Sequence, residues 1–330
     1  MSVKRNHAFD FLGSLYIIFM IYGAHIAHLT STFQNSIWSE IMFFFTPYLA
    51  FFFIKSGYLH KVSHQSLQTS MIALLKKRVC MVLPFALIGF ICSIIISQED
   101  FIFTTLSACK WLVLNGSFPS NGPLWFIATL IFCELLTIIL ERVFTRWIFI
   151  AIIFLIGTSL IVEREIILFW NIQNIFICMF FYIIGILYRK WEHLISNHVL
   201  FIVLPLVIIN LYYNDSFIDL YNSKLVWGKE ISFMLNSILF VISFSTIYNR
   251  YVKKSIPVFG FIGFHSMVYY ALHFPILLLS LYVIPSIVGS NINAFYLFCS
   301  IVLICTIYAL ASKKYPILVG HIEGKAIVKT

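Results

Sequence analysis

The feature that most constrains this chain is its succession of apolar runs, each close to the ~20 residues a helix needs to cross a bilayer. They are separated by short links of alternating charge. The runs fall near 9–29, 38–58, 79–97, 123–141, 147–162, 171–188, 198–213, 230–249, 264–284 and 294–312. Apolar residues make up 61% of the 330 residues and charged residues only 11%, against roughly 25% charged in a soluble chain. A soluble fold has no place for that much apolar surface. Disorder, collagen-like repeats and a disulfide scaffold are excluded on the same grounds. The first run follows Lys4 and Arg5, but it is too long for a signal peptide and reads as the first span.

Charge tests the count. With the amino terminus inside, the inner segments carry Lys4, Arg5, Lys61, Lys76, Lys77, Arg78, Arg142, Arg146, Arg189, Lys190, Arg250, Lys253, Lys254, Lys313, Lys314, Lys325 and Lys329. The outer segments carry only Lys110, Arg164, Lys224 and Lys229, together with most of the acids: Glu40, Glu99, Asp100, Glu163, Glu165, Asp215, Asp219 and Glu230. Cytoplasmic loops favour Lys and Arg, and one miscounted span would invert every later loop. The fold class expected is therefore all-α: a polytopic transmembrane helical bundle of about ten spans, with both termini cytoplasmic. One integral-membrane domain over 1–330 is expected, with no fused extracytoplasmic domain.

The net charge of +9 is spread over these links, so no nucleic-acid partner is expected and the bilayer is the first partner. The seven cysteines form no CxxC pair and mostly sit inside apolar runs, as small buried hydrophobes do; no metal site is expected. Residues 62–75 are moderately amphipathic ahead of a basic cluster, which fits either an interfacial helix or an ordinary loop. There is no convincing internal repeat of the kind many transporters carry.

Ionisable groups at membrane depth are costly and usually line a cavity. The candidates are Asp10, His25, Lys55, Glu134, His265 and His273. His25 follows Asp10 by fifteen residues, ~22 Å along a helix, which places it toward the outer half of the first span. Imidazole suits general-base work, but spacing alone does not separate that role from a histidine bonded to a backbone carbonyl. His28, three residues on, shares its face. Asp10 and Lys55 fall at the inner ends of the first two spans; Lys55 either pairs with Asp10 or snorkels to the headgroups. Glu134 lies mid-span, where a helix–helix hydrogen bond is its plain structural reading. His273 stands two residues before Pro275, which frees a carbonyl one turn back. Walker, GxGxxG, GxSxG and HExxH signatures are missing.

Four landmarks carry a resemblance. They are Asp10 with His25; Phe51-Phe52-Phe53-Ile54-Lys55-Ser56-Gly57-Tyr58-Leu59; Gly122-Pro123-Leu124-Trp125-Phe126; and Ser266-Met267-Val268-Tyr269-Tyr270-Ala271-Leu272-His273-Phe274-Pro275. In this order the chain resembles the integral-membrane acyltransferase family 3, which includes bacterial O-acetyltransferases of surface polysaccharides. The resemblance implies acyl transfer, usually of acetyl, from cytoplasmic acetyl-CoA to a sugar hydroxyl of a cell-envelope polysaccharide or its lipid-linked precursor, in the bacterial inner membrane. No permanently bound cofactor is implied. His25 is the expected catalytic residue, with Asp10. Arg78 matches the family's basic position and, with Lys76, Lys77 and Lys55, is expected to hold CoA. Trp125, Glu134, Tyr269 and His273 are expected on the acceptor side. Glycan-assembly proteins are further expected partners.

Two departures stand out. The family usually has Arg or Lys three or four residues after the first-span Asp, where this chain has Gly13 and Ser14; Lys55 is the expected replacement. Met81 stands where a second Arg would complete Arg-x-x-Arg. Rival expectations are a transporter or flippase for a polysaccharide intermediate, and an assembly subunit of a glycan-synthesis complex.

Overall fold

A computed structural model describes residues 6–30, 46–62, 65–97, 99–118, 120–144, 146–166, 168, 172–213, 216–220, 224–285 and 290–319. The described chain is almost entirely helical. In order it runs α1 (His7–Leu29), α2 (Tyr48–Tyr58), α3 (Leu67–Ile96), α4 (Phe101–Asn115), α5 (Trp125–Val143), α6 (Trp147–Glu163), α7 (Asn174–Trp191) and α8 (Asn197–Tyr213). There follow a two-stranded antiparallel hairpin of β1 (Phe217–Asp219) and β2 (Lys224–Trp227), then α9 (Glu230–Ile247), α10 (Pro257–Phe264), α11 (Ser266–Val283) and α12 (Asn291–Lys314). In lipid the backbone must satisfy its own polar groups, so apolar runs of this length fold as helices. Among the described residues seven helices are long and apolar enough to span, and α4, α6 and α8 are shorter apolar helices. Large apolar side chains stay exposed in stripes, as at Leu83, Leu87, Ile91 and Ile95 on α3. In water that surface would be a liability; in a bilayer it is the lipid face.

Each expected span coincides with a helix, although the part of the second span before residue 46 lies outside the described residues. Four differences from that expectation stand out. Residues 67–75 are neither a loop nor a separate interfacial helix. They open α3, where the Ser66 hydroxyl caps the backbone N–H of Thr69 at 3.2 Å. Segment 101–115 is also helical, and its fifteen residues reach only ~22 Å, short of the ~30 Å hydrocarbon core; with α6 and α8 it is one of three shorter apolar helices. Gly116 ends it in the left-handed conformation, φ 67°. The helix α10 and the β-hairpin were also not expected.

Packing divides the chain into two units: Met1–Tyr16, Glu40–His64 and Phe132–Phe264 form the first, and Ile17–Ser39, Gln65–Ile131 and His265–Thr330 the second. In the first unit α2 and α7 touch backbone to backbone. A Cβ on Gly57 would run into the Tyr182 carbonyl, and one on Gly185 into the Ile54 carbonyl. Small residues allow such an approach where lipid offers no hydrophobic drive, and this explains the glycine of the Ser56-Gly57-Tyr58 motif.

Side-chain bonds at the helix ends of this unit agree with the charge-based sidedness. Asn249 donates to Asn6 Oδ1 at 2.9 Å, Tyr58 donates to the Glu192 carboxylate at 2.9 Å, and His60 meets Glu141 at 2.8 Å. All these positions belong to segments read as cytoplasmic. Lys224 pairs with Glu165 at 3.0 Å, joining two segments read as outer.

Candidate active site

In the second unit, two residues far apart in sequence meet. His25 Nδ1 lies 3.0 Å from His273 Nε2, with ring centroids 4.8 Å apart. The first helix positions His25 by abandoning α geometry: Met20–Ile26 is π-helical, a widening often found at functional sites. His25 is half-buried and His28 is exposed, and the partner of His25 is on α11. The Met20 carbonyl also lies close to the His25 ring, and Phe274 meets that ring edge-on at 5.2 Å.

His273 is fully buried. Its Nδ1 stands 3.0 Å from the Tyr269 carbonyl and 2.8 Å from the Tyr270 carbonyl. A carbonyl oxygen can only accept, so His273 Nδ1 carries a proton. In a neutral ring Nε2 then holds the lone pair and accepts from His25 Nδ1–H. The second nitrogen of His25, Nε2, is left with its lone pair. The arrangement therefore fixes the tautomer of a half-buried imidazole and leaves it one basic nitrogen, as a general base requires.

The turn before α5 supports this pair, through a residue that sequence reasoning passed over. Asn121 is completely buried, and its Nδ2 donates to the carbonyls of Ala271 at 3.1 Å and Phe85 at 3.3 Å. Ala271 is four residues before Pro275, the carbonyl that the proline leaves without its helical donor. An asparagine preceding Gly-Pro reads as turn chemistry; the missing donor at Pro275 was the only signal for its second role. Trp125 is buried at the start of α5, and its neighbour Phe126 packs on Tyr270 at 5.0 Å. Tyr269 is buried, and its hydroxyl is bonded to Thr306 at 2.7 Å. What it offers the histidine pair is its carbonyl.

The basic cluster lies on α3. Lys76 and Lys77 are exposed and Arg78 is half-buried. Arg78 Nη1 stands 3.7 Å from the sulfur of Met81, the residue in place of the family's second Arg.

Asp10, Lys55 and Glu134 belong to the first unit. Asp10 is buried, and its backbone packs so closely on Gly263 that no Cβ fits there. Lys55 donates to the Gly263 carbonyl at 3.1 Å, and its Nζ is 3.5 Å from where a Cβ of Gly13 would stand. The ammonium thus packs beside the Cβ position of Gly13, between α1 and Gly263. Glu134 is buried in α5. His60, not singled out in the sequence, bridges Glu141 at 2.8 Å and the Tyr182 hydroxyl at 3.0 Å.

No curated protein and no solved structure matches the chain. The family model of the acyltransferase domain matches residues 6–310, taking in every residue of both histidine helices and the α3 cluster. With that coverage, and with four motifs on a bundle of membrane helices, the chain belongs to the acyltransferase family 3.

Proposed function

We propose that this membrane acyltransferase moves an acetyl group from cytoplasmic acetyl-CoA to a sugar hydroxyl of a cell-envelope polysaccharide, or of its lipid-linked precursor, in a bacterial inner membrane. The single observation that carries this reading is the hydrogen-bonded His25–His273 pair. A sugar hydroxyl attacks a thioester poorly unless its proton leaves as the new bond forms. In our reading His25 Nε2 takes that proton while the sugar oxygen bonds to the acetyl carbon. The tetrahedral intermediate then expels the CoA thiolate, which recovers the proton from His25, so the products are the acetyl ester and free CoA. While His25 is cationic, its Nδ1–H stays bonded to the His273 lone pair, and His273 is held in turn by the Tyr269 and Tyr270 carbonyls. Arg78, with Lys76 and Lys77, is our candidate for phosphates of the donor, and a guanidinium is well shaped for them.

O-acetyl analysis of the surface glycan tests the assignment. His25→Ala should abolish acetylation while the protein still inserts. His273→Leu should lower kcat by about 10²-fold or more with KM little changed. His273→Gln, whose amide oxygen can still accept from His25 Nδ1–H, should recover part of that loss. Full acetylation in His25→Ala, or equal rates for the Leu and Gln variants, would remove the histidine pair from the mechanism.

A further inference from the structure

The first unit holds a cleft of about 540 Å³, a size typical of small-molecule sites (~300–1,000 Å³). It is built where the inner ends of α1, α2, α7 and α9 come together, and Asn6, His7, Tyr58, Glu192, Arg250 and Lys253 are among its lining residues. Every segment contributing to it is cytoplasmic by the charge pattern, which is the side on which a soluble donor arrives.

Three independent observations mark it as more than a gap between helix ends. First, the backbone is irregular where it supplies the cations. Tyr248–Val252 is π-helical and ends on Lys253 at φ 54°, a conformation uncommon for a residue other than glycine. The other π segment of the described chain carries His25. Second, a buried polar group is left over. Asn6 is 8% exposed, and its Oδ1 accepts from Phe9 N–H and from Asn249. Its Nδ2 faces the Tyr58 hydroxyl, and the buried His7 Nδ1 makes no hydrogen bond among the described residues. Native proteins rarely bury such groups without a partner. Third, the charge is arranged for an anion. Arg250 uses two of its N–H groups on the Glu192 carbonyl (3.1 Å) and on Asn197 Oδ1, and a guanidinium has five. Among the described residues the one lining carboxylate, Glu192, accepts the Tyr58 hydroxyl on both oxygens, at 2.9 and 3.1 Å.

Cations alone would suit any phosphate, including a lipid headgroup. The lining aromatics and the leftover imidazole suit a base as well: Tyr58 and Tyr188 line the cleft with rings 5.4 Å apart and tilted at 41°. We propose that this cleft binds the phosphorylated adenosine end of the acyl-CoA donor, with Arg250 and Lys253 on the 3′-phosphate and Asn6 and His7 on the base. The proposal rests on acyl-CoA being the donor.

The test uses full-length protein in nanodiscs of neutral phosphatidylcholine, titrated with CoA and with dephospho-CoA. Wild-type protein should bind CoA about ten-fold more tightly than dephospho-CoA. Lys253→Gln should erase most of that preference and Lys253→Glu all of it, and both should raise KM for acetyl-CoA more than they lower kcat. Lys253 is exposed, so these variants avoid the folding risk of removing Arg250, which ties α9 to Asn197. Equal affinity for the two ligands in the wild type, or an unchanged KM in Lys253→Glu on an enzyme that consumes acetyl-CoA, overturns the cleft assignment and leaves the proposed function standing. If the wild type neither binds CoA nor consumes acetyl-CoA while accepting another donor, the donor reading falls and this proposal falls with it. Loss of CoA affinity on adding anionic lipid to the nanodisc, with Lys253→Gln insensitive to that lipid, would assign the cleft to headgroups instead.

Discussion

At the scale of single residues, Lys55 is the charge to test. Its Nζ lies 3.5 Å from the Cβ position of Gly13 and bonds the Gly263 carbonyl at 3.1 Å. A charge at this depth is costly, so a helix that carries one uses it. If the ammonium does what a cation on residue 13 would do, then Lys55→Met should lower acetyl transfer by at least about ten-fold, in line with the loss of one charge-assisted contact. Normal activity in Lys55→Met at normal protein levels would reduce Lys55 to a structural tie. The sequence made Lys55 a candidate through the gap at Gly13, but not its contact with Gly263, because nothing local connects residues 208 positions apart.

At the scale of elements, α11 depends on a donor from outside itself. Pro275 leaves the Ala271 carbonyl without its helical partner, and Asn121 supplies one. Removing that donor should cost about 1–3 kcal/mol, the usual cost of an unsatisfied buried acceptor. Asn121→Leu should therefore lower thermal stability in detergent, and Pro275→Ala added to it should recover much of the loss, since residue 275 then donates along the helix. If the double variant is no more stable than Asn121→Leu alone, the proline and the asparagine are not coupled. The helix ends tell a related story. Apolar run length anticipated the seven helices long enough to span, yet α3 extends well before its expected start because the Ser66 cap and residues 67–75 continue the same helix. The π segments in α1 and after α9 left no trace in the composition, because an inserted residue is tolerated only where neighbouring helices accept the displaced side chains.

For the whole molecule, sidedness is the property to test. The inner positions meet in the first unit through Asn6, Tyr58, Glu192 and Asn249, and outer positions meet through Lys224 and Glu165. With exposed Cys109 and Cys299 changed to serine, Lys224→Cys should react with an impermeant thiol reagent on intact cells. Lys253→Cys should react only after the membrane is opened. Labelling of both from the same side would break the ten-span reading.

The sequence by itself determined that the chain is a helical membrane protein, and its apolar runs and loop charges set the expectation of ten spans and their sidedness. Those properties follow from transfer energies and loop charges, which act on each segment separately. It also placed the histidines, the acid and the lysine at membrane depth, because cost marks them wherever they stand. Only the tertiary structure decided that His25 meets His273 across 248 positions, that two carbonyls set the tautomer of that pair, and that Asn121 completes α11. The cleft at the inner ends of α1, α2, α7 and α9 was decided there too. These contacts depend on which helix faces which, and that is set by close packing at residues such as Gly57, Gly185 and Gly263, not by any periodicity within one segment.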